Sequence, residues 1–219
     1  MKSATTARPR GRPRSFDREQ ALERALDVFW EKGYEATSVA DLTAAMGINP
    51  PSLYAAFGDK ERLFCEALER YQAARRESVD ASFEEATARG AVQGILMGLA
   101  EQYSCAEHRG CMMVMAAATC ADASDFVKAK LAKAASGMRT RFKQRLDRAV
   151  EEGELAADTE VGPLVDYYIA VFQGMALQAR DGASRKSLLA TAEMAMRAWP
   201  ESKLKHSRSV GTRKAGSVA

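Results

Sequence analysis

TSVADLTAAMGINPPSLYAAFGDKERL, residues 37–63, is the stretch that decides the fold of this chain. Ser38 and Asp41, three residues apart, have the spacing of a capping box, in which each side chain accepts from the other's backbone N–H. This pair predicts the start of a short helix, and Gly47 supplies its end.

A second short helix follows immediately. Asn49 is a good N-cap, and Pro50 suits the first helical position, where its missing N–H removes no hydrogen bond. Leu53, Tyr54 and Phe57 give this helix one apolar edge, so it must pack on neighbours. Two short helices joined at a Gly-containing turn form a helix-turn-helix, whose second helix enters the DNA major groove.

Candidate DNA contacts lie on both helices and just beyond them. Small residues such as Ala55 allow close approach to the bases, and the hydroxyls of Ser52 and Tyr54 suit phosphates. Lys60 begins a third helix, where free N–H groups and an ammonium favour phosphate. An ordinary helical hairpin is the alternative. The predicted contacts here are Thr37, Ser38, Asn49, Pro50, Ser52, Tyr54, Ala55, Ala56 and Lys60.

The segment from Phe16 to about Tyr71 contains four short motifs: FWEKGY at 29–34, ATSV at 36–39, SLY at 52–54 with Phe57, and DKE at 59–61. With these motifs it resembles the TetR family of bacterial transcriptional repressors. The resemblance implies an all-α homodimer with a three-helix, helix-turn-helix head and a helical C-terminal domain that binds an effector and dimerises. Many members have a basic residue and a glycine where this chain has Pro50-Pro51, and aromatic or histidine residues at Ala55-Ala56.

Basic residues concentrate at the two ends of the chain. The net charge is +3, of which residues 1–16 carry +5 and residues 200–219 carry +4, leaving −6 for the rest. Such a distribution is typical of a protein that meets a polyanion through defined parts. Residues 1–15 are predicted to be a disordered arm whose Arg10, Arg12 and Arg14 reach the minor groove, with a merely solvated tail as the alternative. Residues 201–219 are predicted to be disordered.

The sequence also indicates a cellular compartment. No run of about 18 apolar residues exists, so no membrane association is expected. The N-terminus lacks the apolar segment of a signal peptide. Four cysteines in 219 residues lack the density of a secreted disulfide scaffold. We therefore expect a globular protein in the reducing cytoplasm.

Helical periodicity continues through the remainder of the chain. We assign residues 16–59 to the DNA-binding domain and residues 60–200 to the effector-binding and dimerisation domain. The expected helices are 17–32 before the motif, and then 60–79, 91–104, an all-round apolar and therefore buried 111–121, 124–153, 158–181 and 184–200.

The last two helices resemble the dimer interface of the family. In the family, these helices pair with their copies to form a four-helix interface. Ala170, Ala176 and Ala192 permit close helix approach, a pattern that a core within one chain would also show. Ala176→Arg is expected to produce monomers.

Methionine and aromatic residues recur in the predicted C-terminal domain. Methionine walls adapt to varied shapes, so some of these side chains are expected to line a pocket for an apolar or aromatic effector. The function predicted is a dimeric repressor of a palindromic operator, released by such an effector. The predicted ligand-binding residues are Met97, Tyr103, Met112, Met115, Tyr168 and Phe172.

The cysteines offer an alternative signal. Cys105, His108 and Cys111 have a metal-like spacing of three, but Cys111 and Cys120 point about 180° apart on one helix and cannot share a metal. No metal site is therefore predicted. Cys111 follows Gly110 at a helix N-terminus, where the dipole lowers a thiol pKa, so a Cys105–Cys111 disulfide is a candidate redox switch. A redox-responsive or soft-metal-responsive repressor is the alternative to an organic effector.

Catalysis has little support in the sequence. A Cys105–His108 nucleophile pair can be imagined, but no Gly-rich elbow, carboxylate pair or phosphate loop accompanies it. We expect no enzyme activity and no cofactor, with a helical enzyme as the distant alternative.

Overall fold

The computed structural model describes residues 16–105, 110–120 and 123–200, the side chains of residues 104 and 105 excepted. All regular structure among these residues is helical, so the all-α prediction is confirmed. The described helices are α1 (Arg18–Lys32), α2 (Val39–Met46), α3 (Pro50–Phe57), α4 (Lys60–Phe83), α5 (Ala88–Cys105), α6 (Met112–Thr119), α7 (Asp125–Glu151), α8 (Val161–Arg180) and α9 (Arg185–Arg197).

The first three helices and the start of α4 share one core. The ring of Phe29 on α1 meets that of Phe64 on α4 edge-on, with centroids 5.0 Å apart, and Tyr34 lies 4.8 Å from Phe64. Leu42 from α2 and Leu53 from α3 are fully buried. Neither short helix is stable alone, so this shared apolar contact holds them in place.

Helix α4 joins this head without a break to the body, which consists of the remainder of α4 and helices α5 to α9. It ends at Phe83, beyond the predicted residue 79, and α5 begins at Ala88 instead of residue 91. The early start of α5 has a distant cause: the Glu154 carboxylate accepts the Ala88 N–H at 2.6 Å, and Arg145 holds that carboxylate at 3.2 Å. Helix α8 starts at Val161, later than the predicted residue 158.

Helix α6 corrects the prediction of an entirely buried segment. It covers only Met112–Thr119, and although Met112 and Ala116 are buried, Ala117 and Ala118 face solvent. The helix packs against α1, α4, α7 and α8. Alanine is small enough to be tolerated at the surface, so an uninterrupted apolar run overstated the burial.

The position of Ala176 corrects the prediction that Ala176→Arg would produce monomers. It is completely buried inside the chain, and its backbone oxygen lies against Gly110. Ala192 is buried in the same way. Ala176→Arg would therefore disrupt the protomer itself and does not test dimerisation, because a long charged side chain would enter a packed interior.

The predicted disordered arm and tail, residues 1–15 and 201–219, lie outside the described residues. None of the described helices is long and apolar enough to cross a membrane.

Candidate nucleic-acid interface

The start of α2 is the capping box that the sequence predicted. The Ser38 hydroxyl oxygen accepts from the Asp41 N–H at 3.1 Å, and the Asp41 carboxylate accepts from the Ser38 N–H at 2.9 Å. Lys32 at the end of α1 pairs with Asp41 at 2.6 Å. Hydrogen bonds from Lys32 and Ser38 lower the pKa of Asp41 well below its ordinary value. These contacts fix α2 relative to α1.

Helix α3 is fixed by its own cap and by one apolar edge. The Asn49 side chain accepts from the Ser52 N–H at 2.9 Å, and Pro50 occupies the first helical position. Leu53 and Phe57 are buried against the head. The cap and the edge together leave the opposite side of α3 open.

The open side of α3 carries most of the predicted base and phosphate contacts. Tyr54 is 50% exposed, and Pro50 and Ala55 are also exposed. Ser52 and Ala56 are half-buried at the margin of this face. Because alanine and proline have short side chains, a duplex can approach this face closely, and the exposed Tyr54 hydroxyl can then contact phosphate.

Thr37 and Ser38 use their side chains within the head. Thr37 is almost fully buried, and its hydroxyl donates to the Gly33 carbonyl at 2.6 Å. The Ser38 hydroxyl donates to the Asp41 carboxylate at 2.6 Å and caps α2. Both residues position the motif, and the side chain of Ser38 is the more exposed of the two.

Lys60 occupies the first turn of α4, as expected. Its ammonium lies 4.5 Å from the centre of the Tyr34 ring, a cation–π contact that holds the long side chain over the head. Burial, with Glu61 nearby, raises the pKa of Tyr34 to about 12, so this ring stays a neutral phenol. Lys60 is half-buried at the N-terminus of α4.

Sequence reasoning missed the role of Arg18. Its guanidinium pairs with Glu66 on α4 at 2.7 Å, donates to the Ala56 carbonyl on α3 at 3.3 Å, and lies 4.4 Å above the Phe57 ring. Arg18, in the first turn of α1, thus links α1 with α3 and α4. No local pattern signals this, because its partners lie 38 and 48 residues away.

The arginines of the predicted arm, Arg10, Arg12 and Arg14, lie outside the described residues.

The six predicted effector residues differ in their burial. Tyr103, Met112 and Tyr168 are fully buried, whereas Met97, Met115 and Phe172 are half-buried. Burial raises the pKa of Tyr168 to about 12, and its hydroxyl donates to the Ala195 carbonyl. Two open clefts of about 280 and 310 Å³ lie elsewhere, and none of the six lines either one.

The structure describes the side chains of three of the four cysteines on which the redox and soft-metal alternatives depend. The side chains of Cys105 and His108 lie outside the described part of the chain. Cys65, Cys111 and Cys120 are free and buried. Burial raises the pKa values of Cys65 and Cys120. No group of three metal-binding side chains occurs among the described residues.

The two short capped helices, with an open face on the second and a third helix behind them, define a helix-turn-helix regulator of the all-α class. Comparison with known proteins gives the family. Residues 21–67 match the model described as "Bacterial regulatory proteins, tetR family", and residues 96–196 match "Tetracyclin repressor-like, C-terminal domain". The chain belongs to the TetR family, and it is a DNA-binding transcriptional repressor.

Individual relatives support this assignment along nearly the whole chain. The transcriptional repressor ComR of Escherichia coli (strain K12) is 35% identical over 196 residues, covering 88% of this chain and 93% of ComR. The repressor BdcR of the same organism is 32% identical over 212 residues, covering 89% and 95%. Among solved structures, a cysteine mutant of the TetR family regulator CifR in complex with 26-base-pair operator DNA is 44% identical with a TM-score of 0.81, covering 86% of this chain and all of that one.

Proposed function

We propose that this protein is a dimeric repressor that binds a palindromic operator in the cytoplasm and is released from it by a small apolar or aromatic effector. The observation that carries the proposal is the open face of α3, held at a fixed angle by caps at both short helices. CifR, which is similar along its whole length, is described in complex with operator DNA. The family consists of regulators, which argues against a helical enzyme.

The DNA surface is tested most directly by placing a negative charge on α3. Ala55 is exposed and small, so Ala55→Glu should leave the head folded while setting a carboxylate against phosphate and base oxygens. Operator binding should fall to the non-specific level, measured by fluorescence anisotropy on duplexes selected from a random pool. Ala73→Glu, at an exposed position of α4, is the matched control. Equal binding by both variants would contradict the assignment of α3.

The dimer proposal is supported by unpartnered apolar faces on α8 and α9. On α8, Tyr167, Ala170, Gly174 and Leu177 recur at steps of three and four and reach solvent to differing degrees. Met194 is 60% exposed on α9. An apolar strip on α8 beside an exposed methionine on α9 suits the self-complementary interface of a two-fold dimer.

A pair of exposed-position variants tests this interface without disturbing the core. Leu177→Arg, at a side chain 47% exposed on α8, should produce monomers with weak operator binding, because one protomer engages one half-site. Phe126→Arg, at a side chain 51% exposed on α7, is the matched control and should stay dimeric. Light scattering measures both. A dimer that survives Leu177→Arg excludes this face.

The effector proposal is supported by the composition of the body core. Five of the six predicted ligand residues belong to the buried core or pack against it, so an apolar molecule would have to displace flexible side chains such as Met97 and Met112 to enter. Release by such a molecule should be reversed by dilution alone. Binding is tested by following operator release across a library of apolar and aromatic compounds.

A second candidate signal is the redox state of a thiol. It is favoured by one observation: Cys111 lies where the body meets the head, in contact with Tyr71 of α4. Release by oxidation should be reversed by dithiothreitol and not by dilution, so the two signals are distinguishable.

A further inference from the structure

Cys111 lies in a buried cluster that joins three helices. It occupies the N-cap position of α6 and is 6% exposed. The Tyr71 hydroxyl from α4 donates to its Sγ at 3.5 Å and accepts from the Met112 N–H at 3.2 Å. A single phenol hydroxyl therefore connects the thiol with the first amide of α6.

The cluster contains a polar atom without a partner. Tyr103 on α5 is 2% exposed, and its hydroxyl has no hydrogen-bond partner within the described part of the structure. Burial raises the pKa of Tyr103 far above its ordinary value, with Cys111 as the next contributor, so the hydroxyl stays protonated beside the thiol. A buried donor left unsatisfied costs about 1–3 kcal/mol. An acceptor atom added at Sγ would give this hydroxyl a partner.

The same cluster is mechanically connected to the DNA-binding head. The rings of Trp30 and Tyr71 meet edge-on at 5.0 Å, and the indole N–H of Trp30 donates to the Gly110 carbonyl at 3.2 Å. Arg180 on α8 donates to the carbonyls of Trp30 and Glu31 at 3.1 and 2.8 Å. An atom added at Cys111 would therefore press on the end of α1.

The other described thiols cannot reach Cys111. Cys120 lies at the opposite end of α6, about 12 Å away for eight helical residues. Cys65 precedes Tyr71 by six residues on α4 and points about 120° away around the helix. Neither of these two described thiols can therefore form a disulfide with Cys111.

We propose that Cys111 is a modification site for a small hydroperoxide, which converts its thiol to a sulfenic acid that hydrogen-bonds to Tyr103 and weakens operator binding. This inference rests on the proposed repressor function and specifies one means of its regulation. A small reagent is inferred because Cys111 is almost fully buried and faces a single orphan donor.

The oxidation needs no reagent other than the hydroperoxide. The sulfur attacks the terminal oxygen of the hydroperoxide, so a sulfur–oxygen bond forms while the oxygen–oxygen bond breaks. Sulfur loses two electrons, and the peroxide is reduced to an alcohol or to water. The thiol proton goes to the departing oxygen, and the new S–OH oxygen accepts from the Tyr103 hydroxyl.

The experiment titrates operator binding of the full-length protein with hydrogen peroxide and then with dithiothreitol. Oxidation should lower operator affinity between about 5- and 150-fold, the usual range of coupling between two sites. The intact mass should rise by about 16 Da, and dimedone should trap the product. Dithiothreitol should restore binding. A full-length protein that binds the operator and keeps its affinity after peroxide overturns this inference and leaves the repressor function standing. A reduced protein that binds no operator contradicts the repressor function itself.

Four variants locate the reactive atom. Cys111→Ser and Cys111→Ala should both lose the peroxide response, and circular dichroism identifies either one that fails to fold. Cys120→Ser, the buried thiol at the other end of α6, is the matched control and should respond like the wild type. Cys105→Ser should also respond. A response that disappears in Cys105→Ser or Cys120→Ser overturns the one-oxygen adduct in favour of a disulfide or another site.

Tyr103→Phe tests the acceptor geometry. It removes only the orphan hydroxyl, so the reduced protein should keep its stability or gain some. The oxidised form loses a hydrogen bond, so complete oxidation should lower operator affinity roughly 2- to 10-fold less than it does in the wild type. A titration that coincides with the wild type overturns the role of Tyr103.

Discussion

Gly110 is the residue at which adding a single methyl group should lower the free energy of unfolding most. Its φ is +63°, in the left-handed region, and a Cβ built there would lie 2.3 Å from the Ala176 backbone oxygen of α8. Helix α8 cannot yield easily at this point, because Ala176 is fully buried. The Gly110 carbonyl also accepts the Trp30 indole N–H.

The expected cost of Gly110→Ala has two parts. Left-handed backbone costs an alanine about 1–2 kcal/mol. Forcing an extra carbon into a packed contact costs about 1–3 kcal/mol. Together they predict a loss of roughly 2–5 kcal/mol in the free energy of unfolding. For a chain of this size, each kcal/mol lowers Tm by roughly 2–4 °C, so Tm should fall by roughly 4–20 °C.

Thermal unfolding followed by circular dichroism at a fixed protein concentration measures this cost. Gly137→Ala is the matched control, since Gly137 lies exposed within α7 with no atom within 4 Å of a built Cβ. Alanine there should stabilise the helix by about 0.5–1 kcal/mol. Gly110→Ala should also weaken operator binding, because the Trp30 contact moves with the loop. If its Tm matched that of the wild type, the close approach of Gly110 to α8 would be refuted.

Three further predictions concern the head and the arm. Lys60→Ala should weaken binding to all duplexes alike and flatten the slope of log affinity against log salt by about one unit; an unchanged slope would mean that Lys60 only packs on Tyr34. The depressed pKa of Asp41 gives stability that is present above its unfolded pKa of about 3.9 and is lost as pH falls through the lower folded value. Asp41→Asn should therefore lose less stability than the wild type on acidification from about pH 5 to 2 in denaturant unfolding, and parallel curves would argue against the shift. Deleting residues 2–14 should reduce affinity most at operators with A·T-rich flanks, and equal loss at G·C-rich flanks would indicate non-specific attraction instead.

The sequence alone determined the parts of this protein that depend on neighbours along the chain. The caps of α2 and α3 are correct because Ser38 with Asp41 and Asn49 with Ser52 interact across three residues. The family was recognisable for the same reason, since its characteristic residues cluster in this short motif. The candidate DNA surface of α3 is the face that these local signals leave open.

Only the tertiary structure decided what happens where distant segments meet. Arg180 lies 150 positions from Trp30 yet donates to its carbonyl, and the backbone oxygen of the buried Ala176 lies against Gly110. The unpartnered Tyr103 hydroxyl beside Cys111 is likewise invisible in the sequence. Burial and hydrogen-bond satisfaction depend on which helices pack together, and helical periodicity specifies a face without naming the partner that covers it.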